Sequence, residues 1–203
     1  MSPRAADRSA VLVAERAREC ADLGTLAARA RGCVACLDLA ARRTTVVVGD
    51  FPAAATLLLV GEAPGAQEDL AGRPFVGKAG QLLDRLLAES GIDRQTTAVA
   101  NVLKCRPPDN RAPTSAEAAR CTGWLDRQVE LADPQIVLTL GGTALRWALG
   151  SGTRLRDARE TVHGWRGRRL LATYHPSAAI RFGPAGAPMS ALRSDLRTVA
   201  ALL

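Results

Sequence analysis

Four short apolar runs, each closed by a glycine, proline or polar cluster, alternate along this chain with segments of helical periodicity. They are Thr56 to Val60, Thr97 to Leu103, Gln135 to Leu140 and Arg169 to Tyr174. Runs this short and continuously apolar suit strands buried on both faces. Alternation with helices calls for a mostly parallel sheet covered on both sides, so the fold class is α/β. The helical segments are Ser9 to Ala30 (one helix or two), Gly80 to Ser90, Thr114 to about Leu131, Gly142 to Leu149 and Ser190 to Leu203. Leu82, Leu83, Leu86 and Leu87 mark one face of the second, and Thr114 with Glu117 forms a capping-box pattern at the start of the third. Val46 to Val48 is expected as a short edge strand, and Gly150 to Gly164 and Gly183 to Pro188 as loops.

Sheets of this kind collect their ligands at the carboxyl ends of the strands. Three polar segments stand there: Gly61 to Gly65, Asn101 to Arg106, and His175 to Arg181. With 203 residues and no internal repeat or long linker, the chain is expected to form one domain, 1–203. Its N-terminal helical part, residues 1–31, leads into the loop Gly32 to Leu37.

The net charge of +7 favours a polyanionic partner. That argument is weakened by a coding bias, since only Lys78 and Lys104 among the 27 basic residues are lysines. Aromatic residues at 3% exclude a single-strand binder built on stacked rings. The longest apolar run, Ala53 to Val60, is too short to cross a bilayer, and Met1 to Ala10 carries no signal-peptide stretch. A cytoplasmic protein without membrane association or disulfides is expected.

Four of the five cysteines form a Cys33-Val-Ala-Cys36 pair and two singles, Cys105 and Cys121. A pair two residues apart can grip a metal centre from one turn while distant thiolates close the coordination. Spacing leaves zinc, an iron–sulfur cluster and unrelated buried thiols all open. Cys20 is left over as a helix thiol.

Taken together, Gly61-Glu-Ala-Pro-Gly65, Gly72-Arg-Pro-Phe-Val-Gly-Lys-Ala-Gly80, Asn101-Val-Leu-Lys-Cys-Arg-Pro-Pro108 and His175-Pro-Ser177 resemble the family 4 uracil-DNA glycosylases from about Gly32 to Arg181. The resemblance implies a three-layer α/β/α sandwich around a short parallel sheet. It also implies a 4Fe–4S cluster on Cys33, Cys36, Cys105 and Cys121, and hydrolysis of the N-glycosidic bond of uracil in DNA by a monofunctional enzyme without a lyase step. A monomer acting on single- or double-stranded uracil-containing DNA is expected.

Such an enzyme extrudes the nucleotide, reads the base and stabilises charge as the bond breaks. His175 is expected to donate to uracil O2 as negative charge grows there. Asn101 offers a carboxamide that accepts from N3–H and donates to O4, a pattern opposite to that of cytosine. Phe75 is expected to stack on the base, while Gly61, Ala63 and Gly65 allow close backbone approach. Glu62 is the candidate to position water or stabilise the cationic sugar. In the superfamily's best-known branch an aspartate stands where this chain has Ala63, so Glu62 replaces it only in part. Glu68, by resemblance, faces the C5 edge and helps exclude thymine. Ser177 to Arg181 matches the family's intercalation loop, with Ile180 as wedge and Arg181 on phosphate. Lys78, Lys104, Arg106 and Arg111 are further phosphate candidates.

Two rival readings are a uracil-DNA-binding protein without turnover and a non-catalytic iron–sulfur DNA-binding module. A related branch captures DNA covalently through a histidine in an inserted Lys-Arg-Arg-Ile-His loop. Here Cys105-Arg-Pro-Pro runs through Asp109-Asn-Arg-Ala-Pro113 straight into the next helix, without that insertion.

Overall fold

The computed structural model describes residues 7–203; the first six residues of the expected N-terminal segment lie outside the described residues. The elements are α1 (Arg8–Arg18), α2 (Leu23–Arg31), α3 (Leu37–Arg42), β1 (Leu57–Gly61), α4 (Ala66–Ala71), α5 (Lys78–Glu89), β2 (Ala98–Asn101) and α6 (Ser115–Ala132). They continue with β3 (Ile136–Leu140), α7 (Gly142–Leu149), α8 (Leu155–Ala158), β4 (His163–Trp165), β5 (Arg168–Thr173), α9 (Pro176–Phe182) and α10 (Ala187–Leu202).

The strands form one sheet in the order β2-β1-β3-β5-β4, with every pairing parallel except that of β4 with β5. Alternation along each strand divides the core into two layers. Leu58, Val60, Ala98, Ala100 and Val137 pack with Leu26, Trp124 and Leu125 from α2 and α6. Leu57, Leu59, Val99, Ile136 and Leu138 pack with Leu83, Leu87, Leu192 and Leu196 from α5 and α10. The molecule is therefore an α/β/α sandwich, as expected. Chain order reverses between β1 and β3, which opens a crevice at their carboxyl ends.

Three expectations are corrected. Val46 to Val48 is not a strand: Val47 donates to Lys104 O at 2.8 Å, beyond the end of β2, and only Asp50 bridges Val99. Gly150 to Gly164 is not merely loop, since it holds α8 and opens β4, a three-residue strand too short to show periodicity. Its hairpin turn uses Arg166 and Gly167, both with positive φ (48° and 76°), as a primed two-residue turn requires. Ser177 to Arg181 is helical. Pro176 occupies the first turn of α9, and His175 caps it by accepting the Ser177 amide on Nδ1 at 3.2 Å.

Candidate active site

The crevice at the switch point is a cleft of about 400 Å³ bounded by Glu62 to Gly65, Phe75, Asn101, Gly141, Gly142 and His175. All three polar segments expected at strand ends reach it. Pro107, Asn110 and Arg111 close a further side.

Asn101 ends β2 beside Gly61 of β1, with which it is in register. It is 2% exposed, and among the described residues its Oδ1 has no hydrogen-bond partner. A buried acceptor left unmatched costs roughly 1–3 kcal/mol, a cost a ligand donor can offset. The wall opposite is Phe75, buried, with φ of 55°. Two glycines make room for these groups. A Cβ on Gly61 would lie 2.4 Å from Asn101 Oδ1 and 2.6 Å from Phe75 Cζ, and one on Gly80 would lie 1.7 Å from Phe75 O. The amide and the ring thus share a slot that only a bare backbone leaves open.

His175 follows β5 and sits with its ring centroid 5.7 Å from that of Phe75, tilted by 34°. Burial pushes its pKa below the ordinary 6.5, against the opposing pull of Glu62 and Glu68. Burial thus favours the neutral ring. Because Nδ1 accepts from the Ser177 amide, the proton resides on Nε2, which leaves that nitrogen as a hydrogen-bond donor. The Ser177 hydroxyl also lies 2.8 Å from Nδ1.

Glu62 is half-buried, and its Oε2 accepts from the Thr143 hydroxyl. Ala63 and Gly65 line the same wall. Glu68 lines the cleft too, and backbone amides hold its carboxylate. Its Oε1 accepts from the Val76 and Gly77 amides at 2.9 and 2.7 Å, and its Oε2 from the Gly65 amide at 3.1 Å. The carboxylate is turned to backbone and stitches the loop after β1 to the loop carrying Phe75.

Of the expected DNA contacts, Lys78, Ser177, Ile180 and Arg181 are exposed. Ser177 and Arg181 border the cleft, and Ile180 is 47% exposed one turn into α9. Arg106 is half-buried and donates to Asn110 at 2.8 Å. Arg111 is held by a two-pronged pair with Glu117, whose carboxyl it draws down to about 2. Lys104 is a correction: it is 1% exposed and cannot reach phosphate. Its ammonium donates to Asn101 O at 2.9 Å and Gln128 Oε1 at 2.6 Å, and Gln128 in turn donates to Val48 O. Burial draws its pKa down to about 8, with Cys121 and Asp126 pulling the other way.

Cys33, Cys36, Cys105 and Cys121 pack against one part of the core. Burial pushes the thiols of Cys36, Cys105 and Cys121 up, the last to about 12, and neighbouring thiols add to each. Cys33 and Cys105 act on Cys36 and Cys121, and Cys33 acts on Cys105. A cation counters the rise in every case: Arg120 beside Cys36, Arg43 beside Cys105, Lys104 beside Cys121. Arg43 donates to Cys105 Sγ at 3.1 Å, and the Lys104 amide to Cys121 Sγ at 3.3 Å. Among the described residues no group of three His, Cys, Asp or Glu side chains converges on a single-ion position. Softness, number and donor surroundings fit a multinuclear thiolate-held centre. Cys20 is buried and donates to Arg16 O.

Comparison with known proteins gives a consistent result. The description of the Uracil DNA glycosylase superfamily matches residues 48–197. The chain is 43% identical over 155 residues to a Type-4 uracil-DNA glycosylase of Thermotoga maritima, covering 75% of this chain and 80% of that protein. Against a Type-4 uracil-DNA glycosylase of Saccharolobus solfataricus it is 36% identical over 187 residues, 88% of this chain and 85% of the other. A Type-5 uracil-DNA glycosylase of Mycobacterium tuberculosis is 35% identical over 145 residues, 60% of this chain and 53% of that one.

Proposed function

We propose a reaction for this cleft on one premise: the chain belongs to the uracil-DNA glycosylase superfamily and to its type-4 branch. It excises uracil from DNA by hydrolysing the N-glycosidic bond, releasing the free base and leaving an abasic site. The observation that carries this reading is the buried Asn101 carboxamide, unpaired at Oδ1 and confined between Gly61 and Phe75 at the head of the cleft.

A flipped uracil enters with its ring against Phe75. Asn101 Oδ1 accepts from N3–H, and its amide nitrogen donates to O4. Cytosine presents the opposite pattern and would leave both groups unmatched, which rejects it. As the bond lengthens, charge grows on O2, and the neutral His175 donates from Nε2 to meet it. Glu62 stabilises the cationic sugar or holds the attacking water. Ile180 enters the vacated stack from α9 while Arg181, Lys78 and Arg106 take phosphates.

We also assign a 4Fe–4S cluster to Cys33, Cys36, Cys105 and Cys121. When bound, it supplies a cross-link. That link would secure residues 106–120, which Cys105 and Cys121 bracket and whose Pro107, Asn110 and Arg111 line the cleft. The protein acts as a monomer of one domain, 1–203, on uracil-containing DNA in the cytoplasm.

Anaerobic purification followed by an oligonucleotide excision assay tests both assignments. Broad visible absorption accompanies the cluster, and Asn101→Ala and His175→Ala each lower excision by two orders of magnitude or more while DNA binding persists. Undiminished excision by either variant rejects the site; a persistent protein–DNA adduct on a denaturing gel rejects turnover.

A further inference from the structure

Glu62 is the least restrained of the three groups assigned to chemistry, because it lies on a loop and its carboxylate is separated from the backbone by three rotatable bonds. One partner holds it. Thr143, the second residue of α7, stands across the switch point between β1 and β3 and donates its hydroxyl to Glu62 Oε2. Arg146, one turn further along α7, donates from Nη2 to the same Thr143 oxygen at 3.1 Å.

The order of donors fixes the direction of this relay. A guanidinium only donates and an ionised carboxylate only accepts, so the hydroxyl proton must point at Glu62. Each link is charge-assisted, and each polarises the next. Among the described residues the Thr143 hydroxyl donates to Glu62 and to no other group. Among the described residues, Glu62 Oε1 has no hydrogen-bond partner and remains for water or the sugar.

We propose that Thr143 is a positioning residue for the Glu62 carboxylate, oriented in turn by Arg146. The proposal rests on Glu62 acting in the reaction, and the test separates the two. Single-turnover excision is measured for Thr143→Val, Thr143→Ser, Glu62→Gln and the Thr143→Val/Glu62→Gln double variant, with binding to the uracil oligonucleotide and thermal melting in parallel. Valine keeps the shape and removes the hydroxyl. It is expected to lower the single-turnover rate by about 100-fold, the scale of a misplaced reacting group, with binding unchanged. Serine restores the rate to within a few-fold. In the Glu62→Gln background, valine adds little further loss, because the two residues act as one unit. A valine variant that cuts at the parental rate, loses only affinity, or loses equally in both backgrounds overturns the proposal. Should Glu62→Gln itself excise at the parental rate, the role given to Glu62 fails and takes Thr143 with it.

Discussion

Gly61→Ala is the sharpest probe of the slot, because it alters no group assigned to chemistry. The added methyl would meet Asn101 Oδ1 at 2.4 Å and Phe75 Cζ at 2.6 Å. Carbon contacts relax at about 3.5–4.0 Å, so amide and ring must each retreat by about 1 Å. The strand cannot yield instead, being paired through β2 on one side and β3 on the other. A 1 Å displacement of a positioning group costs about 100-fold in rate, or about 2.7 kcal/mol of transition-state stabilisation. Overpacking costs folding about 1–3 kcal/mol, at about 2–4 °C of melting temperature for each, so the variant stays folded in an assay at room temperature. kcat/KM on a uracil oligonucleotide, read beside a melting curve, decides the matter. A variant that melts slightly early yet excises at the parental rate would refute the idea that Asn101 and Phe75 grip the base.

Further outcomes follow from the charges of three residues. His175 should titrate below 6.5 by NMR and carry its proton on Nε2 at neutral pH, visible in long-range proton–nitrogen spectra. Because the unfolded chain takes up that proton first, stability should fall as pH drops from 6.5 through the folded-state value, a slope absent from His175→Asn in denaturant melts. Arg181→Ala should reduce the salt dependence of DNA binding by about one counterion. Lys104→Met should leave that dependence intact and instead cost about 1–3 kcal/mol for each buried acceptor it strands.

Sequence patterns revealed what depends on neighbours in the chain. The capping box at Thr114 and Glu117 is present, with the Thr114 amide 2.8 Å from Glu117 Oε2. The apolar runs became β1, β2, β3 and β5, and their polar ends converge on one cleft. What escaped depends on contacts that composition does not carry. Lys104 reads as a surface cation, since lysines are seldom buried, and its partners inside are the Asn101 carbonyl and Gln128, the latter 24 positions away. Thr143 lies outside every motif and gains meaning through a residue 81 positions earlier. The six-residue α4 and seven-residue α9 are too short to display a helical period, and the histidine that caps α9 is an unusual cap.

Glu68 has a consequence for anyone who would redesign the specificity of this pocket. One carboxylate receives three amides from two separate loops, so the backbone at Gly65 and the backbone at Val76 and Gly77 form a single rigid frame. Neither loop can be lengthened or exchanged alone without stranding that charge beside the cleft. The width of the pocket is therefore a joint property of the two loops that flank α4, set like a gauge before any base arrives. Accepting a bulkier base means resetting both jaws at once.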